Sequence, residues 1–239
     1  MPRRLGGIGG SGRPRWGAGA SLPALMLAVL AISMGFGILL PQLPGLVERL
    51  MGAEGTPAQV ARTTGLLAAL YMLSLFLCAP AWGALSDRLG RRPVLVVGLT
   101  GFALTTAASA LFESMALLYV ERLSSGVFAA AVTPVALAAA SDRAAHGGGL
   151  ALVSAAGTSG FLLGPLVGVA LARLQAASGG GAGALTFPLL GTALLAFVAA
   201  LLVAATLPGR ASDAPGGAPA QPEGSPPGDG AVTALLGLG

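Results

Sequence analysis

Six long apolar stretches dominate this sequence and leave it few ways to fold. They cover residues 22–40, 64–85, 93–112, 114–140, 150–172 and 184–207, and five of the six contain no charged residue. A helix needs about 20 apolar residues to cross the roughly 30 Å hydrocarbon core of a bilayer. A chain with only 9% charged residues cannot cover a soluble domain of this size with polar surface. The sequence therefore predicts an all-α integral membrane protein with six transmembrane helices, surrounded by the lipid bilayer.

The distribution of arginines predicts how these spans are oriented. With the N-terminus inside, the internal segments hold nine arginines, and the external loops hold three: Arg49, Arg62 and Arg173. Because cytoplasmic loops carry an excess of Lys and Arg, we expect both termini to be cytoplasmic. Residues 44–63 are then a polar external loop. A secretory signal peptide is the alternative for the first span, but the span is too long and no small-x-small cleavage site follows it, which favours an uncleaved helix.

Composition divides the chain into four segments. Residues 1–21 are rich in Gly and Arg and are predicted to be a disordered cytoplasmic N-terminus, followed by the six-helix bundle over 22–207. Residues 208–230 are dense in Pro, Gly, Ala and acidic residues, which is typical of a flexible linker. Residues 231–239 are apolar but too short to span a bilayer, so we interpret them as the truncated start of a further helix.

The sequence argues against several function classes. All thirteen basic residues are arginines, too scattered for a phosphate-binding face, so no nucleic acid partner is expected. No G-x4-G-K-[ST] loop, nucleophile triad or metal-ligand cluster is present, so neither an enzyme nor a cofactor or metal site is expected. The one cysteine, Cys78, excludes a disulfide within the chain and fits apolar packing. Asp142 and Arg143 are expected to be topogenic or interdomain charges, and His146 a solvated loop residue.

Charged residues cluster between the second and third spans. Residues 83–92 read Gly-Ala-Leu-Ser-Asp-Arg-Leu-Gly-Arg-Arg. On charge alone, the segment fits a solvated turn whose arginines only fix the topology. Its spacing, G-x-L-x-D-R-x-G-R-R, closely resembles the signature between helices 2 and 3 of the major facilitator superfamily. We expect Gly83 to let another helix come close, Gly90 to permit a tight turn and Asp87 to meet a helix N-terminus or an arginine. By this resemblance, the latch of the cytoplasmic face would be formed by Gly83, Asp87, Arg88, Gly90, Arg91 and Arg92.

Motifs in the first and fourth spans resemble the same superfamily. In the first span, Gly35, Pro41 and Pro44 match the l-g-x5-P-x-x-P pattern of the twelve-helix drug–proton antiporter branch. In the fourth, Arg122 and Gly126 resemble the R-x-x-Q-G motif. The motifs follow the family order along the chain, which strengthens each of them.

A glycine-rich motif in the fifth span resembles the antiporter motif G-x-x-x-G-P-x-x-G-G. Gly160, Gly164 and Gly168 recur every four residues and share one helix face, and Val169 replaces the last glycine. Glycines at this spacing permit close helix approach, while Pro165 frees a backbone carbonyl and favours a kink. The residues alone also fit a tight packing seam with no role in gating.

The fourth span contains the only charged residues inside any predicted span, Glu121 and Arg122. An arginine inside a membrane helix costs about 2.5–3.5 kcal/mol on insertion scales, so it normally faces a bundle interior or water. The resemblance implies that Arg122 lines a cavity and takes part in proton coupling, and Glu121 is the candidate protonatable group. Because neighbours on a helix point about 100° apart, Glu121 is not expected to be an ideal partner. The alternative is an interfacial position from which both side chains snorkel outward. Ser125 stands where the family motif has glutamine.

The resemblance implies the N-terminal six-helix half of a major facilitator fold, built as a 3+3 inverted repeat. The implied function is secondary active transport, as proton-coupled efflux of a small-molecule substrate by alternating access in the bacterial inner membrane. It requires a second transporter half, encoded separately or supplied by a homodimer. The alternatives are a non-transporting membrane fragment or assembly partner, and a sugar or metabolite carrier of the same superfamily.

Overall fold

A computed structural model of the chain describes residues 18–111, 114–143, 148–178 and 185–207. Within these segments the regular structure is entirely helical, and six helices are long and apolar enough to cross a membrane. The predicted all-α class and the six spans are therefore confirmed. The predicted linker and final segment, and most of the predicted N-terminal segment, lie outside the described residues.

Most connections between the described helices are short. In chain order the helices are α1 (Ala18–Leu39), α2 (Leu43–Met51), α3 (Pro57–Leu89), α4 (Arg91–Leu111), α5 (Met115–Arg143), α6 (Gly148–Ala177) and α7 (Thr186–Thr206). Two 3-10 turns, Leu40–Gln42 and Gly52–Glu54, flank α2.

The prediction that residues 44–63 form a loop is wrong, because most of this segment is helical. α2 and the start of α3 occupy it. Thr56 begins α3 with a capping box: its backbone N–H donates to Gln59 Oε1 at 2.9 Å, and its hydroxyl accepts from the Gln59 N–H at 3.3 Å. Pro57 follows at the first helical position, where a missing N–H is harmless. These local signals extend α3 well before its apolar run begins.

Helix packing relates the first three long helices to the last three. α1 packs against α6 and α7, and α5 packs against α3 and α4. α4 and α7 pack against each other, and α1 also contacts α5. Exchanging the triplet α1, α3, α4 with the triplet α5, α6, α7 leaves these main contacts unchanged, although α5 also packs against α6 whereas α1 and α3 barely meet. The described helices thus have the arrangement expected of a 3+3 repeat.

α1 and α5 form the centre of the bundle. In the most apolar stretch of each of these two helices, about half of the residues are buried, 50% and 56%, against 17% for α3 and 22% for α6. Small side chains such as Ala28, Ala131 and Ala139 are fully or almost fully buried at this centre, which lets the helix backbones approach closely. α3 and α6 therefore present most of their surface outward, to lipid or to another protein.

Candidate functional site

The charged segment between α3 and α4 is a turn of one residue. Gly90 alone separates the two helices, and its φ of +96° is a conformation that L side chains rarely adopt. Asp87 therefore lies in the last turn of α3, while Arg91 is the first residue of α4. Asp87 Oδ1 lies 2.9 Å from Arg91 Nη1. The carboxylate of Asp87 thus pairs with an arginine four residues further along the chain, on the other side of the turn.

Arg91 connects the ends of three helices. Its Nη1 also donates to Ser86 Oγ at 2.7 Å, and its Nε lies 3.4 Å from Asp142 Oδ2 in the last turn of α5. The side chains of Asp87 and Asp142 are 66% and 61% exposed, so each ion pair alone contributes little to stability. The network therefore holds α3, α4 and α5 in one arrangement that a conformational change can break at small cost.

The remaining members of the charged signature lie on the surface of this turn. Ser86 donates its hydroxyl to the Gly83 carbonyl at 2.8 Å. A Cβ at Gly83 would meet no heavy atom within 4 Å among the described residues, so no described helix comes close to this glycine. Arg88 is exposed and Arg92 is half-buried.

Glu121 and Arg122 form a buried ion pair in α5. Arg122 Nε donates to Glu121 Oε2 and Nη2 donates to Oε1, both at 2.6 Å. The side chains are 5% exposed for Arg122 and 1% for Glu121, so the interfacial alternative is wrong. The expectation that neighbouring residues make a poor pair is also wrong. Both side chains are long enough to curve toward each other over the helix surface, and they close a bidentate contact.

Three aromatic rings continue from this ion pair across the bundle, and we call them the aromatic stack. The Tyr71 ring of α3 lies with its centroid 5.4 Å from Arg122 Cζ. Phe36 of α1 stacks on Tyr71 with centroids 5.0 Å apart, and Phe161 of α6 stacks on Phe36 at 5.9 Å. Tyr71 is buried, Phe36 is half-buried and Phe161 is exposed. The stack therefore links α5, α3, α1 and α6 from the core to the surface.

Sequence reasoning missed the aromatic stack, although one signal pointed to part of it. Tyr71 is one of only two tyrosines in the chain, and it lies in the middle of an uncharged span where a phenol needs a polar or cationic neighbour. Phe36 and Phe161 carry no such signal, because a phenylalanine is ordinary in a membrane helix. Their alignment depends on how α1, α3 and α6 pack.

The glycines of the fifth-span motif pack against α1. A Cβ at Gly160 would lie 2.6 Å from the Leu30 carbonyl oxygen, and one at Gly164 would lie 2.7 Å from the Gly37 carbonyl carbon. A Cβ at Gly168 would meet a side-chain nitrogen of the 3-10 turn after α1 at 2.6 Å. Since real β-carbons do not approach backbone atoms this closely, Gly160 and Gly164 limit how near α1 and α6 can come, whereas the flexible side chain that faces Gly168 could shift.

Two further glycines lie against the backbone of residues in the aromatic stack. Pro165 has no N–H, so the Phe161 carbonyl, four residues earlier, lacks its helical donor. That oxygen lies 2.5 Å from the place of a Cβ on Gly37. Gly126 of α5 repeats the arrangement, with its Cβ position 2.6 Å from the Tyr71 carbonyl oxygen. The triplet exchange relates the α1–α6 pair to the α5–α3 pair, so the two contacts are counterparts.

The other residues of the first-span motif shape the path of the chain. A Cβ at Gly35 would lie 2.7 Å from Thr192 Cγ2 of α7 and 3.0 Å from Phe102 Cζ of α4. Pro41 and Pro44 lie in the first turns of the 3-10 segment and of α2. Because the first N–H groups of a helix have no internal partner, both prolines are tolerated there while the chain turns from α1 into α2.

His146 lies outside the described residues, and so does the side chain of Arg143. Cys78 is half-buried in α3. Among the described residues, no group of three His, Cys, Asp or Glu side chains is placed to hold a metal ion.

Known proteins of one family resemble this chain. The sequence pattern of the Major Facilitator Superfamily matches residues 23–237. The tetracycline resistance protein of class C from Escherichia coli is 36% identical over 160 residues, which are 65% of this chain and 39% of that protein. The human major facilitator superfamily domain-containing protein 10 is 33% identical over 171 residues, which are 62% of this chain and 38% of that protein.

A solved structure has the same arrangement of helices. The crystal structure of the human organic anion transporter MFSD10 (TETRAN) superimposes with a TM-score of 0.67 at 26% sequence identity. The match covers 82% of this chain and 49% of the solved one. This chain therefore spans about two fifths of the length of the curated relatives it matches, and about half of the solved transporter.

Proposed function

Because this chain belongs to the Major Facilitator Superfamily, we propose that it works as one six-helix half of a proton-coupled exporter of small molecules. Transport is by alternating access and requires a second six-helix bundle, either a separately supplied half or a second copy. The observation that supports this most is the buried Glu121–Arg122 pair in the central helix α5. Charged groups at membrane depth are expensive and are retained where they serve transport or proton transfer.

The ion pair gives a physical basis for proton coupling. With Glu121 ionised, the pair is neutral and both carboxylate oxygens accept from Arg122. A proton that binds to Glu121 removes the negative charge and weakens both charge-assisted hydrogen bonds, which leaves the guanidinium with a net positive charge in the core. The two protonation states therefore favour different surroundings, and a change of conformation relieves the unpaired charge.

The network around Arg91 is proposed as the cytoplasmic latch. It joins the ends of α3, α4 and α5 through carboxylates that are largely exposed, so it is weak enough to open during each cycle. Gly83 on the same end of α3 is open among the described residues, and we assign its face to the second bundle. The excess of arginines on this side supports an inner-membrane protein with both termini in the cytoplasm.

A proton-release assay tests the proposed function. Inverted membrane vesicles that contain the chain and its second bundle are energised until their interior is acidic, and tetracycline, the drug named in the bacterial relatives, is added. An antiporter releases protons, and a pH-sensitive acridine dye reports the release. We expect Glu121→Gln to abolish it and Glu48→Gln, a matched change on the exposed face of α2, to leave it intact. Proton release by Glu121→Gln at the normal rate would remove the basis for coupling at this pair.

Transport of organic anions is the second candidate function. The match to the human organic anion transporter favours it. Here the proton and the substrate would bind together, because protonated Glu121 leaves the Arg122 charge available to an anion. The same vesicles separate the two functions. An anion that is carried together with protons acidifies the compartment that the anion enters. A drug that is exchanged for protons acidifies the compartment that the drug leaves.

A further inference from the structure

We infer that Tyr71 is a positioning residue for the buried ion pair, because its ring holds the Arg122 guanidinium against Glu121. Through the aromatic stack, the position of the Tyr71 ring depends on α1 and α6. This inference deepens the proposed function and rests on it. Tyr71 lies on α3, belongs to none of the sequence motifs, and is buried beside the pair.

The geometry of α5 alone does not fix the pair. Successive side chains leave a helix about 100° apart, so the side chains of Arg122 and Glu121 must bend toward each other around the helix to make both contacts. The Tyr71 ring, 5.4 Å from the guanidinium carbon, comes from the neighbouring helix and occupies the space beside that bend. A cation over an aromatic face is attracted to it, and the attraction is strongest where water is excluded. Glu121, Arg122 and the Tyr71 phenol are the titratable groups that meet here, from α5 and α3.

The position of the Tyr71 ring is itself determined by other helices. Gly126 admits the Tyr71 backbone to within van der Waals contact of α5, since a Cβ there would lie 2.6 Å from the Tyr71 carbonyl oxygen. Phe36 of α1 also stacks on the Tyr71 ring, with an interplanar angle of 19°. A displacement of α1 relative to α3 therefore moves the ring and loosens the guanidinium. This connects helix motion to the protonation of Glu121, as coupling requires.

A spectroscopic signature tests the inference on the chain itself. The chain is labelled with 15N-arginine in detergent micelles, and the Arg122 Nε–H resonance is assigned by its disappearance in Arg122→Gln. We expect this resonance at the position of a strong hydrogen bond to a carboxylate, and we expect Tyr71→Leu to move it to the position of the exposed arginines. Tyr71→Phe, the matched control, keeps the ring face and should keep the resonance. An unmoved resonance in folded Tyr71→Leu would overturn the inference.

Glu121→Gln distinguishes failure of this inference from failure of the proposed function. If Glu121→Gln leaves the Arg122 resonance in place, the ion pair is absent, and both the proposed coupling site and the role of Tyr71 are wrong. If Glu121→Gln moves the resonance and Tyr71→Leu does not, only the role of Tyr71 is wrong.

A transport measurement gives a second readout and covers the case in which Tyr71→Leu does not fold. Phe36→Leu removes the support of the Tyr71 ring while leaving the ring itself. In the vesicles that contain the chain and its second bundle, Tyr71→Leu and Phe36→Leu should each lower proton-driven transport about tenfold, the ratio that a 1.4 kcal/mol change produces. Substrate counterflow, which needs no proton gradient, should stay within about twofold, well inside that ratio. Equal loss in both assays would mean that the rings serve only the packing of the bundle.

Discussion

The carbonyl oxygen of Phe161 lies 2.5 Å from the place that a β-carbon on Gly37 would occupy. Pro165 leaves this carbonyl without a helical donor, and the absent side chain of Gly37 lets α1 come directly onto it. Gly37, with a hydrogen atom in place of a side chain, is therefore one of the residues that allow α1 and α6 to come this close. The two helices also meet through Gly160 and Gly164, so the contact is backbone against backbone over several turns.

Substitution of Gly37 tests this contact directly. Gly37→Ala places a methyl group against the Phe161 backbone, which cannot give way as a flexible side chain would. We expect a loss of about 1–3 kcal/mol in stability, the usual cost of overpacking a close-packed interior. Thermal unfolding of the purified chain in detergent measures it. Gly45→Ala on α2 is the matched control, since its Cβ would have no heavy atom within 4 Å among the described residues. Equal unfolding temperatures for the two variants would show that α1 and α6 are not closely packed here.

Asp87→Asn tests the latch separately from the fold. The carboxylate is largely exposed, so loss of its pair with Arg91 should change the free energy of unfolding by less than about 1 kcal/mol. Transport should nevertheless be crippled, because the neutral amide cannot hold Arg91 when the cytoplasmic face closes. The measurement compares drug transport with the amount of protein inserted in the membrane. Glu54→Gln, in the exposed 3-10 turn before α3, should transport normally. Full transport by Asp87→Asn would remove the latch from the proposed mechanism.

Gln175 carries a prediction about stability alone. Its Oε1 accepts a hydrogen bond of 2.9 Å from the Phe187 N–H in the first turn of α7, so a side chain of α6 caps the next helix. Gln175→Met keeps the length of the side chain and removes the acceptor. Because Gln175 is buried, the orphaned N–H should cost about 1–3 kcal/mol. Leu174→Met, at an exposed position of α6, introduces the same side chain without touching this hydrogen bond and serves as the control in the same unfolding experiment. If Gln175→Met is as stable as the parent chain, the Phe187 N–H has another partner.

The sequence predicts the six spans well because the cost of leaving polar groups in hydrocarbon acts on whole segments. The prediction fails at residues 44–63, where the signals that favour a helix are local. These signals are the Thr56 and Gln59 capping box and the prolines at helix starts, which are present in the sequence but lie outside any apolar run. The expectation that Glu121 and Arg122 would pair poorly failed for another reason. A helical wheel gives directions from the axis, and it ignores the reach of two long side chains.

The aromatic stack was beyond sequence reasoning because its members come from α1, α3 and α6. Nothing local distinguishes Phe36 or Phe161 from the other apolar residues of their helices. Their alignment follows from the close contacts of Gly37 and Gly126, which become meaningful once the helices that face them are known. The one-residue turn at Gly90 was different, since a short charged segment with glycine between two spans leaves few conformations.

The exchanged packing of the two triplets has a consequence for how the chain matures. During synthesis the helices enter the bilayer in order, yet α1 packs chiefly on α6 and α7, which follow the other described helices along the chain. Helix insertion and helix association in membranes are separate stages, so α1 remains in lipid with its small-residue face uncovered until α6 and α7 have been inserted. We expect a ribosome-bound chain that stops before α6 to be recognised by membrane proteases as an orphan. Insertion of α6 and α7 therefore determines whether α1 is protected from degradation.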